Sequence, residues 1–407
     1  MKNSVEVRKG LSGTFALNKQ EPIHRWYKYD EGYSSELILN EFNRLPIDVE
    51  SIFEPFAGSG TTPLVAAQLG IESYFTEINP FMAYITETKI NTVRDASNNQ
   101  DEVVKNLAEL KSIILDFQTN VKYEHSHYDY QGFEKYYDEM VLNNISKVKW
   151  CIENIKDPIS KKLARVALSA IAVKTSKMIK RGDLRYAKEN EKNILSSDVF
   201  LHFLDKLNEI TLDITNFSKS VQASTQYVHS DARQATLPKE VDCVITSPPY
   251  LNGTNYIRNT KLELQLLNFI NSENDLPLLH SNGIMAGINS VSRRRSIPYI
   301  FEEVKPYVER LEAVAYDKRI PIMVGGYFYD MHNVFQKLKE VIRNNGVFVL
   351  DIGDSQFAGV HIPTDILLSE IAKKNGFELY DEETLRTRRS KNQMLLSQKV
   401  LRYRLKK

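Results

Sequence analysis

The stretch Ser51-Ile52-Phe53-Glu54-Pro55-Phe56-Ala57-Gly58-Ser59-Gly60-Thr61 decides the fold. Its first four residues read as a short buried strand that runs into a glycine loop. A helix follows over Thr62–Gly70, with Thr62 as N-cap, Pro63 at the first helical position and Gly70 as the left-handed residue that ends it. Ser73-Tyr74-Phe75-Thr76 then gives a second strand, ending at Glu77. Strand, loop, helix and strand at this spacing make a βαβ unit, which implies a parallel sheet with a right-handed crossover. Gly58 and Gly60 lack a Cβ and let the backbone approach a ligand. Such ligands sit in the crevice at the carboxyl ends of parallel strands. Glu77, 19 positions after Gly58, is placed to accept from ribose hydroxyls. Taken alone, a loop with two glycines also fits a tight βα turn that holds nothing.

Working outward, the character of the chain changes near Asn91. Through Thr225 glycine and proline nearly vanish, and apolar residues recur at helical spacing, as in Val103, Leu107, Leu110 and Ile114. We read 91–225 as a mainly helical insertion and a candidate target-recognition region. Residues 1–90 and 226–407 then form the catalytic and cofactor-binding domain. Strand patterns return at Gln226–His229 and Val241–Ile245. Residues 271–324 read as an irregular basic insertion. A helix is expected over Met331–Ile342, a buried strand over Gly346–Asp351, and a helix over Pro363–Lys374. Gly376–Leu379 and Lys399–Tyr403 read as further strands, the last antiparallel.

Thr246-Ser247-Pro248-Pro249-Tyr250 follows a hydrophobic strand, so it too lies at the carboxyl edge of the sheet. Consecutive prolines cannot continue a ladder and hold the preceding residue extended. The product is a rigid elbow presenting one hydroxyl and one aromatic ring. Methylating an amino group conjugated to a base needs such an elbow, because the nitrogen lone pair is delocalised into the ring. The Ser247 hydroxyl and the Pro248 carbonyl can accept its N–H bonds, and Tyr250 can stack on a base flipped out of the duplex. A Pro-Pro loop beside a core tyrosine would show the same residues.

Glu54-Pro55-Phe56-Ala57-Gly58-Ser59-Gly60-Thr61 resembles the cofactor motif of S-adenosylmethionine-dependent DNA amino-methyltransferases, with Glu54 in place of the usual Asp. Ser247-Pro248-Pro249-Tyr250 resembles their catalytic motif in the form typical of cytosine-N4 enzymes. An Asp-Pro-Pro-Tyr form is more common in adenine-N6 enzymes, and tRNA guanine-N2 enzymes use a similar elbow, so both remain alternatives. The resemblance implies an α/β fold, the Rossmann-like mixed seven-stranded sheet of class I methyltransferases. It implies S-adenosylmethionine as cofactor, double-stranded DNA as substrate and a companion restriction endonuclease. Glu77 would hold the ribose and Asp231 would lie near the cofactor's adenine amino group. Tyr33 and Ser34, within His24–Leu39, resemble an N-terminal cofactor motif; a plain surface helix fits them as well. Prokaryotic or phage origin and a cytoplasmic setting follow from the same resemblance.

Composition bounds the partners. With 42% hydrophobic and 26% charged residues this is a globular chain. No run approaches the ~20 apolar residues of a membrane span, and the first 25 residues show no apolar leader core. Cys151 and Cys243 are the only cysteines, so no disulfide framework is expected. No Pro-Cys pair is present, which leaves covalent C5 methylation unsupported. His125 and His127 have no third ligand nearby, so no metal is expected. The formal net charge of +1 requires any polyanion site to be a local patch. Lys174, Lys177 and Arg181 recur at helical spacing as one basic stripe suited to phosphates; Arg293, Arg294 and Arg295, and the run Arg386–Lys391, are the other candidates.

Overall fold

The computed structural model describes residues 10–119, 130, 132–192, 198–251, 254–291, 297–390 and 393–407. Arg293, Arg294, Arg295, His125 and His127 lie outside them. Seven strands form one sheet: β1 (Ser51–Glu54), β2 (Glu72–Thr76), β3 (Thr225–His229), β4 (Val241–Thr246), β5 (Ile342–Gly353), β6 (Phe377–Arg389) and β7 (Leu395–Leu405). Their order is β6-β7-β5-β4-β1-β2-β3. The neighbours from β5 through β3 pair in parallel, and β7 runs antiparallel to both β5 and β6. This is the Rossmann-like mixed sheet of seven strands that the resemblance implied.

Central strands of a sheet covered on both faces must be apolar throughout. Ile52 and Phe53 of β1 and Cys243, Val244 and Ile245 of β4 are accordingly buried. Ile52 pairs with Cys243 and Phe53 with Val244, so the two strands end within one residue of each other. From β1 the chain proceeds outward to β2 and β3, whereas from β4 it proceeds the other way to β5. Loops leaving β1 and β4 therefore diverge, and the strand order reverses between them. That reversal opens a crevice at the carboxyl edge.

The helix after β1 spans Thr61–Gln68, beginning two residues earlier than expected. Gly60, at φ 79°, is its N-cap, and the Thr62 hydroxyl is instead engaged by the Tyr33 hydroxyl. Between β2 and β3 lie the helices Gln100–Thr119, Glu139–Glu153, Pro158–Thr175 and Val199–Phe217. Their buried residues form one cluster with Leu64, Ala67, Phe81 and Ile85 of the helices flanking the sheet. The basic stripe does not form. Ser176 ends the helix by accepting the Met178 N–H on its hydroxyl at 3.0 Å, a local bond that replaces the next helical one. Lys174 is left in the last helical turn, Lys177 faces Asp138 at 3.0 Å, and Arg181 lies in the hairpin Met178–Arg181/Asp183–Tyr186, 3.5 Å from Glu191.

Residues 271–324 are also more regular than expected, carrying the helices Leu276–Asn282 and Lys305–Val314. The helix expected at Met331 begins at Arg319 and runs through Gly325-Gly326. Glycine weakens a helix, but here it permits contact: a Cβ on Gly326 would meet Met285 Sδ at 2.3 Å. Packing of Ile320, Met323 and Val324 overrides the propensity.

Far from the crevice, β7 is tied down by a buried guanidinium. Arg402 donates to Glu41 at 2.7 Å, Asp381 at 2.9 Å and Glu383 at 3.2 Å, with Arg402 and Glu41 side chains both 2% exposed. Removing Glu41 takes away the one fully buried partner of this guanidinium and leaves it only Asp381 and Glu383. Glu41→Ala is expected to cost about 3 kcal/mol, read from denaturant midpoints at unchanged m.

Candidate active site

A cavity of about 290 Å³ occupies the crevice. One wall is the glycine loop, with Phe56, Ala57, Gly58, Ser59 and Thr61; the facing wall is the elbow Ser247, Pro248, Pro249 and Tyr250. Glu77 and Asp231, from the tips of β2 and β3, close one end. Tyr29 to Tyr33 cover it, and Asp351 and Gln398, from β5 and β7, close the other end.

On the glycine side, Gly58 holds φ +52°, and an added Cβ would lie 2.9 Å from Tyr29 Cε1. Its N–H donates to Glu77 Oε2 at 2.7 Å, while the Asn79 N–H donates to Oε1 at 2.9 Å. These bonds fix the carboxylate at the mouth of the loop and leave it lone pairs for further donors. Enclosure of the Glu77 carboxyl pushes it up to about 7.

Asp231 also lines the cavity, but its carboxylate is already spanned by Arg233 at 2.8–2.9 Å and touched by Gln234. Burial pushes this acid up, and the Arg233 guanidinium overcomes that and holds it below the usual range. Arg233 is braced in turn by Asp330 at 2.7 Å.

Three residues expected at the cofactor stand back from the cavity. Glu54, fully buried, accepts from the Phe56 N–H at 2.9 Å, the Tyr33 hydroxyl at 2.7 Å and the Thr246 hydroxyl. One carboxylate thereby links β1, β4 and the N-terminal segment, and burial pushes it up to about 7. Gly60 caps the following helix. Ser34 caps the helix Ser35–Arg44, accepting from Leu37 N at 3.2 Å and donating to the Ser12 carbonyl at 2.8 Å. Tyr33, by contrast, both lines the cavity and holds Glu54.

At the elbow, the Tyr250 hydroxyl donates to Asp351 Oδ2 at 2.9 Å, and the Gln398 amide donates to Tyr250 Oη at 2.9 Å and to Asp351 Oδ1 at 2.8 Å. The Tyr250 ring lies over Gly353, where a Cβ would approach it at 3.2 Å. Tyr250 is thus a fixed wall with an anchored hydroxyl. Burial pushes Asp351 up to about 6. Sequence reading missed Tyr29, Asp351 and Gln398. Asp351 had a signal, since it ends an apolar run at the carboxyl edge, as Glu77 does. Gln398 is one polar residue in an alternating strand and had none.

Among the described residues no helix is long and apolar enough to cross a membrane, and no group of three or more His, Cys, Asp or Glu is arranged to hold a metal. No protein-family model matches the chain. It is 25% identical over 403 residues to Type II methyltransferase M.AvaI of Nostoc sp. (strain PCC 7120), covering 90% of this chain and 81% of that protein. It is 26% identical over 423 residues to Type II methyltransferase M.BsoBI of Geobacillus stearothermophilus, covering 92% and 82%. The chain is similar to Type II methyltransferases. Among solved structures, the rRNA methyltransferase aviRa of Streptomyces viridochromogenes aligns at TM-score 0.29 and 7% identity, over 94% of this chain and 84% of that one, too slight a likeness to argue from.

Proposed function

We propose that the protein transfers a methyl group from S-adenosylmethionine to the exocyclic N4 of cytosine in double-stranded DNA, within a restriction-modification system. One observation carries the reading. The glycine loop after β1 and the Ser-Pro-Pro-Tyr elbow after β4 open from adjacent strands onto the same cavity. Similarity to Type II methyltransferases supports methyl transfer to DNA.

The residues present fit a cationic nucleoside. Five carboxylates line the cavity: Asp30, Glu31, Glu77, Asp231 and Asp351. Asp30, Glu31 and Asp231 have cationic partners in Lys28, Lys180 and Arg233. Glu77 and Asp351 are held by neutral donors instead, so they favour a positive charge between them. Glu77 would take the ribose hydroxyls, and Gly58 leaves room for them. S-adenosylmethionine, when bound, supplies a methyl group on a sulfonium, which is already a good leaving group.

The elbow does the rest by positioning and electrostatics. Ser247 and the Pro248 carbonyl accept the two amino N–H bonds, which frees the nitrogen lone pair from the ring. Tyr250, anchored at its hydroxyl, sets the plane of the base. The test is to express the protein in a methylase-free host and analyse the nucleosides of its DNA by mass spectrometry. N4-methylcytosine is expected; N6-methyladenine would move the assignment to adenine, and methylation confined to tRNA would remove DNA from it.

Cofactor affinity should also depend on pH. With Glu77 pushed up to about 7, most of its carboxyl is protonated at pH 6 and ionised at pH 8. Only the ionised form accepts from both ribose hydroxyls. The Kd for S-adenosylmethionine by calorimetry should tighten about tenfold from pH 6 to pH 8, in proportion to the competent fraction. Glu77→Gln should bind more weakly and flatten that profile.

A further inference from the structure

Two arginines, Arg386 and Arg388, line the cavity at the end where Asp351 and Gln398 sit, and they have no assigned role. β6 and β7 are long, and their hairpin runs past the rest of the sheet. The ladder between β7 and β5 ends at Gln398 opposite Gly353, while β6 and β7 go on pairing out to Arg389 opposite Leu395. The overhang stands at the carboxyl edge, beside the cavity. Arg386 pairs with Gln398 and Arg388 with Leu396, so the two arginines share the strand face that carries Gln398. Both arginines line the cavity and both are solvent-exposed. Arg386 spends its Nε on Gln398 Oε1 at 2.7 Å, leaving both terminal nitrogens open. Among the described residues the Arg388 side chain has no hydrogen-bond or ion-pair partner.

We infer that Arg386 and Arg388 grip, one each, the backbone phosphates flanking the nucleotide whose base enters the cavity. This rests on the DNA reading above and says which surface grips the strand being methylated. A flipped nucleotide stays covalently joined to its neighbours, so its flanking phosphates must pass the rim of the pocket. Guanidinium forks match a phosphate in geometry as well as charge. Among the described residues Lys174, Lys177 and Arg181 do not line the cavity, and Lys177 and Arg181 face Asp138 and Glu191 instead. Arg386 adds a link inward, because its partner Gln398 holds the Tyr250 hydroxyl. A phosphate gripped at the rim is thus one side chain away from the elbow.

The test uses the full chain and a mixed-sequence DNA duplex, with affinity followed by fluorescence anisotropy across a salt titration. Arg388→Gln should weaken binding several-fold and reduce the slope of log Kd against log salt by about 0.9, the value of one phosphate contact on duplex DNA. The Arg386→Gln/Arg388→Gln double variant should reduce it by about twice that. Arg388→Lys should restore the slope, since the charge is kept. Lys239→Gln removes an equal charge beside the amino end of β4, away from the cavity, and serves as control. S-adenosylmethionine affinity should be unchanged in Arg388→Gln, which shows that the fold is intact. Unchanged slopes in both arginine variants, with wild type binding and methylating DNA normally, would overturn the clamp alone. Wild type that neither binds the duplex in a salt-dependent way nor methylates DNA would overturn the DNA reading, and the clamp with it.

Discussion

Ser247→Ala should lower kcat by about 10²–10³ while the Kd for S-adenosylmethionine stays within about twofold, the size of effect seen when one preorganised hydrogen-bonding group is taken from a reacting centre. The separation follows from the geometry. Ser247 follows β4 on the elbow wall, whereas the groups proposed to hold the nucleoside, Gly58 and Glu77, follow β1 and β2. Alanine removes one acceptor for the amino N–H and leaves Pro248, Pro249 and Tyr250 in place. The Glu54 bonds beneath the site come from Phe56, Tyr33 and Thr246, so they survive the change. Single-turnover methylation with saturating DNA, set beside calorimetric cofactor binding, reads the two quantities apart. An equal loss of both would sink the assignment of Ser247 to the elbow's chemistry.

Gly58→Val should show the opposite pattern, with cofactor affinity falling at least about 100-fold. Two causes act together. A β-branched residue at φ +52° is strained by about 1–3 kcal/mol. Its Cβ would also lie 2.9 Å from the Tyr29 ring, which must then move off the loop. Movement of the loop breaks the 2.7 Å bond from Gly58 N to Glu77 and leaves that carboxylate unaimed. Equilibrium dialysis with labelled cofactor measures the loss. A thermal midpoint close to wild type would show that the damage is local, and unimpaired binding would refute the loop's role.

The parts of the site that could be read in the sequence are those whose conformation is punctuated locally. Gly58, Gly60 and Gly70 take positive φ where a turn or helix end requires it, and Pro248-Pro249 cannot be anything but an elbow. β1, β2 and β4 were legible because they are short apolar runs ending at these signals. What was hidden depends on partners distant in sequence. β7 slots between β5 and β6, and no local pattern states that order. Tyr29 and Gln398 reach the cavity through packing across the molecule. Helical spacing misled at Lys174, Lys177 and Arg181, since one serine hydroxyl after Thr175 was enough to end the helix. Ser34 was legible in another sense: a serine before Glu36 and Leu37 is a helix cap first.

The shared buried cluster of the helices between β2 and β3 bears on how relatives of this protein could exchange parts. Had those helices closed a core of their own, residues 91–225 could be lifted out and replaced by the matching stretch of another chain. Instead Val103, Leu107 and Leu163 pack in the same cluster as Leu64 and Ile85, so a chimera cut at those borders would join two half-cores that never adapted to each other. Diversification in such a body is expected to proceed through exposed loops and hairpin tips, where a changed side chain disturbs no neighbour, and transplanted specificity would travel as scattered surface residues instead of as a cassette.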